Sequence, residues 1–290
     1  MTRCSQAEPA GGRGRHTAVN SLASAPFHLR RGSQPLIVSM PHVGTRVPAE
    51  IEREFTPVAR ALTDTDWHVD RLYDFLPELG ASVIAARYSR YVIDLNRPPD
   101  DAALYPGMIH TGLCPTHSFA GEPLYGSGVD ALPGSEVESR RARYWQPYHA
   151  ALDELIAGTR ARAGFVVLLD AHSIRSHVPR LFSGRLPDIN IGTDDGRSCS
   201  AELIASLLAM LAAQSRFSYV VNGRFKGGHI TRRYGAPASG VHALQIELSQ
   251  SAYMDEDRAT YDENRAVPLR ELLQRIVVAM LRFSPATPAT

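Results

Sequence analysis

The chain has 290 residues, 31 Lys+Arg against 30 Asp+Glu, 44% hydrophobic residues and three cysteines. A net charge of +1 offers no basic stripe for nucleic acid or an anionic membrane, and no run approaches the roughly 20 apolar residues of a transmembrane helix. Cys4, Cys114 and Cys199 lie far apart with no CxxC pair, which excludes a disulfide framework and a thiolate zinc site and suits a reducing cytoplasm.

Residues 1–34 set five arginines against one acid, Glu8, among Gly, Ala and Ser; they read as a disordered leader. The folded domain is expected over 35–290. Leu36 to Met40 reads as a buried strand stopped by Pro41, Asp66 to Leu76 as a helix ending near Pro77, and Ser82 to Ala86 and Tyr91 to Leu95 as two more strands. A long helix is expected from Ser135 to Ala163, opened by a Ser135/Glu138 capping box, kinked at Pro147 and closed by Gly164.

Phe165 to Leu169 has the composition of a fully buried strand. Ala201 to Gln214 follows as an amphipathic helix and Tyr219 to Asn222 as a short strand. His242 to Leu248 alternates, with Glu247 on the less apolar face. Pro268 to Leu281 reads as a last helix. Strands separated by helices point to an α/β layer architecture, a single domain with a mixed, mostly parallel sheet flanked by helices. Asn96 to Ser135 breaks the rhythm with six Pro and six Gly in forty residues. Its Tyr105, His110, His117, Phe119 and Tyr125 suit the wall or lid of a site.

Ligands of open α/β sheets bind beyond the carboxyl ends of strands. His42 follows the first strand, Asp170-Ala-His172 follows the Phe165 strand, and Glu247 lies near the end of the last. A catalytic zinc site takes three N/O ligands and leaves one position open. His42 and His172 would supply two, and the spacing leaves Asp64, Asp66 and Asp70 as choices for the third. Beside such a site a carboxylate in the position of Glu247 would be its general base. Arg97, Arg175 and Arg224, each past a strand end, suit bidentate binding of carboxylates. No phosphate loop, GxGxxG turn or GxSxG elbow is present.

Six segments in order carry a specific likeness: Ser39-Met-Pro-His-Val-Gly-Thr45, Asp64-Thr-Asp-Trp-His-Val-Asp-Arg-Leu72, Ser89-Arg-Tyr-Val-Ile-Asp-Leu-Asn-Arg-Pro-Pro99, Asp170-Ala-His-Ser-Ile-Arg-Ser176, Val221-Asn-Gly-Arg-Phe-Lys-Gly-Gly228 and Gln245-Ile-Glu-Leu-Ser249. From about Leu36 to Leu281 the chain resembles the N-formylglutamate amidohydrolase family of histidine catabolism. That resemblance implies a zinc-exopeptidase-like (phosphorylase/hydrolase-like) fold and hydrolysis of N-formyl-L-glutamate to formate and L-glutamate. It selects Asp66 to complete a metal set with His42 and His172, the metal being Zn²⁺ or another divalent transition ion.

It also implies Glu247 as base, Arg97 or Arg175 on the oxyanion, and a small dianionic N-formyl amino acid held by Asn96, Arg97, Arg175, Asn222 and Arg224. His229 stands where the family pattern leads one to expect Tyr. Two rival readings use the same residues: a metallohydrolase of another N-acyl amino acid or short peptide, and a non-catalytic carboxylate-binding module.

Overall fold

The computed structural model describes Met1 and residues 25–103, 109, 111–126 and 129–285. Among them seven strands form one mixed sheet: β1 (Phe27–Arg30), β2 (Leu36–Met40), β3 (Ser82–Ala86), β4 (Val166–Ile174), β5 (Ile189–Gly192), β6 (Tyr219–Val221) and β7 (Val241–Ser249). Their order across the sheet is β1-β3-β2-β4-β7-β5-β6. The β3-β2-β4-β7 centre is parallel, and so is the β5/β6 pair, while β1 on β3 and β5 on β7 run antiparallel.

Every residue of β2, β4 and β7 is buried, because helices cover both faces, as parallel sheets require. One face presents Val38, Leu169, Ala171, Leu244 and Ile246 to the Ala201–Ala212 and Glu263–Arg282 helices. The other starts apolar, with Ile37, Leu168 and Ala243 against Tyr148, Leu152 and Leu155 of the Gln146–Ala163 helix. Toward the strand ends that second face turns polar: Ser39 on β2, Asp170 and His172 on β4, Gln245 and Glu247 on β7. Ser39 is in register with Asp170, Asp170 with Gln245, and His172 with Glu247, so one polar patch spans three adjacent strands.

Several elements differ from expectation. The chain enters the sheet at Phe27, inside the segment read as a leader, because Phe27 to Arg30 pair antiparallel with Ala86 to Val83; residues 2–24 lie outside the described residues. Tyr91 to Leu95 is a buried turn rather than a strand. Its apolar run fills the core, yet its amides pair outside the sheet, Val92 N donating to Ser89 O and Asp94 N to Leu113 O. The expected helix from Asp66 shrinks to Val69–Leu72, entered through His68 at φ 62°.

The long helix is real but carries a π-helical turn, Arg141–Trp145, between Gly134–Arg140 and Gln146–Ala163. That turn directly precedes Pro147, which has no amide to give. The expected capping box does not form: Pro133 is the N-cap and no side chain caps it. Gly164 closes the helix at φ 81° as expected. β4 runs five residues past Leu169, so Asp170 and His172 are strand residues rather than loop residues. β5 carried no signal that separated it from a loop.

Candidate active site

His42 sits two residues past β2, and its ring Nδ1 lies 3.2 Å from Nδ1 of His172. Asp66, in the loop before the Val69–Leu72 helix, brings Oδ2 to 2.9 Å from His172 Nδ1 and 3.7 Å from His42 Nδ1. That loop is tied down on both sides of the aspartate. Asp66 N donates to His42 O, Gln250 Nε2 to Thr65 O, and the Tyr253 hydroxyl to Trp67 O. Among the described residues these three form the one group whose ligand atoms all lie within 4.8 Å of one another.

Each imidazole is backed by a buried acid. His42 Nε2 is hydrogen-bonded to Asp94 Oδ1 at 2.7 Å, and His172 Nε2 lies 2.9 Å from both Asp170 Oδ2 and Asn96 Nδ2. With a metal bound, a proton on each Nε2 would leave each Nδ1 lone pair free to face the ion beside Asp66. Asp170 is held by Ser39 Oγ at 3.1 Å and by Asn96 Nδ2 at 2.8 Å. Asp94 accepts from Arg90 Nη2 at 2.9 Å.

Three acceptors converging at hydrogen-bond distance repel unless a proton or a cation lies between them. The charge balance says the same. Asp66, Asp94 and Asp170 are buried, with Arg90 paired to the first two, so the pocket is acidic and suits a cation. Asp66 Oδ1 is buried with no hydrogen-bond partner. The donor set therefore fits a divalent metal. In the metal-free chain, burial disfavours a charge on His172, but Asp170 and Asp66 outweigh it and raise its pKa well above the ordinary value. Burial likewise opposes charge on Asp66, and hydrogen bonds from His172 and His42 overcome it and hold the carboxyl low.

Glu247 faces the same point from β7, in register with His172. Burial pushes its pKa up to about 8, with Asp66 adding to the rise and His172 opposing it. Gln245 Nε2 donates to Glu247 Oε2 at 3.0 Å, and Gln245 Oε1 accepts from Gly228 N at 2.7 Å. Gly228 must be glycine, since a Cβ there would meet Asn96 Nδ2 at 2.4 Å.

These residues line a partly open cleft together with Arg90, Arg97 and Arg224. Arg97 Nη2 donates to Thr111 Oγ1 at 2.7 Å, and Arg224 Nε to Leu181 O at 2.7 Å. Of the residues expected from sequence, the cleft brings together His42, His172, Glu247, Asn96, Arg97 and Arg224, with Asp66 beneath. Asn96 serves here as a strut: its Oδ1 accepts from Ile230 N while its Nδ2 holds Asp170. Arg175 and Asn222 do not reach the cleft. Arg175 is bound to Glu256 O and Asp257, and Asn222 is a turn residue at φ 51° bonded to Thr193.

Asp64 accepts from Phe119 N at 2.7 Å and Asp70 from Arg71 N, so neither joins the histidines. The sequence reading assigned no role to Arg90, Asp94, Asp170 and Gln245. A signal existed for two of them: Asp170 and Gln245 each stand two residues before a site residue on the same strand, hence on the same face.

Comparison with known proteins gives the family. The profile of the N-formylglutamate amidohydrolase family matches residues 34–254. A protein of Pseudomonas aeruginosa named N-formylglutamate deformylase is 52% identical over 254 residues, covering 86% of this chain and 94% of that protein. One of the same name from Pseudomonas putida is 49% identical over 258 residues, 89% of this chain and 95% of its own. The crystal structure of N-formylglutamate amidohydrolase from Ralstonia eutropha JMP134 superposes with a TM-score of 0.76 at 30% identity, covering 89% of this chain and 96% of its own. With the family profile spanning most of the folded chain and close relatives aligned almost end to end, the chain belongs to the N-formylglutamate amidohydrolase family.

Proposed function

We propose that the chain hydrolyses N-formyl-L-glutamate to formate and L-glutamate as the last step of a histidine degradation route, with His42, Asp66 and His172 holding a divalent ion. The carrying observation is the convergence of two acid-backed imidazoles and an aspartate on one point beside Glu247. Two nitrogens and one carboxylate with room for a further ligand is the catalytic zinc pattern, which supports zinc. Bound there, the ion supplies a Lewis acid that polarises the formyl carbonyl and lowers the pKa of water.

Glu247, buried and in register with His172 beside the convergence point, is the carboxylate placed to act as general base. It takes the proton of the attacking water as the oxygen bonds to the formyl carbon, then delivers that proton to the leaving amine nitrogen. Gln245, donating to the other side of the carboxylate, keeps it aimed. Arg97 and Arg224 hold the two carboxylates of the glutamate moiety, while Arg175, engaged with Glu256 and Asp257 outside the cleft, takes no part at the oxyanion. The test is formate release from N-formyl-L-glutamate beside N-formyl-L-aspartate and N-acetyl-L-glutamate. The reading expects N-formyl-L-glutamate to be preferred; a preference for the acetyl compound or no release from any of the three contradicts it.

A further inference from the structure

The cleft has walls of two kinds. One stretch of the lining carries Arg97, Thr111 and Arg224, the last bonded to Leu181; another is apolar, with Phe119 and Ile174. Phe119 and Ile174 also line a second, partly open pocket, together with Asp64, Arg175, His177, Val178, Pro179 and Gln250. Phe119 is therefore a partition between two spaces.

It is a fixed partition. Phe119 sits in a tight turn in which Ser118 N donates to Glu122 O and Gly121 N to Ser118 O, with Gly121 at φ 89°. Its own amide is anchored on Asp64 at 2.7 Å. Its ring lies 4.6 Å from the Arg90 guanidinium and packs in a small apolar cluster with Ile174 and Val178. Arg90 in turn pairs with Asp66 and Asp94, so the ring stands on the metal-ligand side of the cleft.

Both carboxylates of an N-acylglutamate belong to its amino-acid half and are drawn to Arg97 and Arg224. With the scissile carbonyl at the His42/Asp66/His172 point, the acyl half is left facing the apolar wall. We infer that Phe119 is a specificity-determining residue that limits the acyl group to one carbon by closing off the second pocket. This rests on the functional reading above.

The test compares wild type with Phe119→Ala on N-formyl-, N-acetyl- and N-butyryl-L-glutamate. The expected result is a rise of at least tenfold in kcat/KM for the butyryl over the formyl compound, and at least tenfold tighter binding of N-butyryl-L-glutamate by calorimetry, a readout that needs no turnover. Phe119→Leu, which keeps an apolar side chain on the turn, should shift the same ratio less and in the same direction. Unchanged ratio and binding would overturn the inference. So would a gain confined to N-formyl amino acids with longer side chains, which would put the amino-acid half against Phe119. Failure of the wild type to release formate would strike the functional reading instead, while the calorimetric comparison still decides the role of Phe119.

Discussion

Asp94 and Asp170 touch the two histidines from behind, on the nitrogens that face away from the convergence point. Such partners fix the tautomer and raise ligand basicity, and losing one typically weakens metal binding by about 10–100-fold. Asp94→Asn should show that loss in competition with a chromogenic chelator while folding is retained; unchanged affinity would remove Asp94 from this role. Glu247→Gln keeps the shape and the contact with Gln245 but removes the base. The expected result is full metal content with kcat reduced by about 10²–10⁴-fold, measured by formate release alongside metal analysis. Arg97→Ala removes a charge-assisted hydrogen bond worth about 1.5–3 kcal/mol, so KM should rise by roughly ten- to a hundredfold. At this scale the sequence exposed the residues of unusual chemistry, His42, His172 and Glu247, because each stands at a strand end. It could not rank Asp64, Asp66 and Asp70, since their directions depend on the αL residue His68 and on anchors such as Gln250 and Tyr253, which lie about 190 residues away.

Strongly patterned elements were legible: β2, β3, β7 and the Ala201–Ala212 and Glu263–Arg282 helices stand close to where periodicity puts them. Tyr91 to Leu95 misled because a short buried apolar run has no period to separate strand from packed turn. β4 was underestimated because Asp170 and His172 break its apolar run, although Ser39 on β2 holds Asp170 and loop residues Asp66 and Asn96 hold His172. Ser200 caps the Ala201–Ala212 helix by accepting from Leu203 N; Ser200→Ala should cost about 1 kcal/mol, read as a lower denaturation midpoint. The π-helical turn and the start of the next helix set Trp145 and His149 against the segment carrying Asn96 and Arg97. Trp145 Nε1 donates to Arg97 O and His149 Nε2 to Leu95 O.

Burial lowers the pKa of His149 to about 3, despite the opposing hydrogen bond to Leu95 O, from 6.5 for the free side chain. Its folded-state pKa is depressed, so the unfolded chain binds the extra proton first. Stability from this group is fully present above about pH 6.5 and falls as pH drops toward 3. Denaturant titration from pH 7 to 4 should show that decline, and His149→Gln should flatten it; an equal slope in the variant would contradict the assignment.

For the whole molecule, a net charge of +1 conceals a sharp local division. Three buried aspartates and Glu247 gather at one point, while Arg97 and Arg224 line the cleft where a small dianion would bind. Overall composition thus did not reveal the site, because the imbalance cancels across the chain. Among the described residues no helix is long and apolar enough to cross a membrane. A cation that binds only the folded state raises stability by about 4 kcal/mol at a thousandfold excess over its Kd, so chelation should lower the melting temperature as well as the rate. The most direct test is formate release from N-formyl-L-glutamate by one preparation measured as purified, after exhaustive chelation, and after reloading with Zn²⁺. The account predicts loss of at least a hundredfold on chelation and recovery on reloading; turnover that survives verified removal of the metal would contradict it.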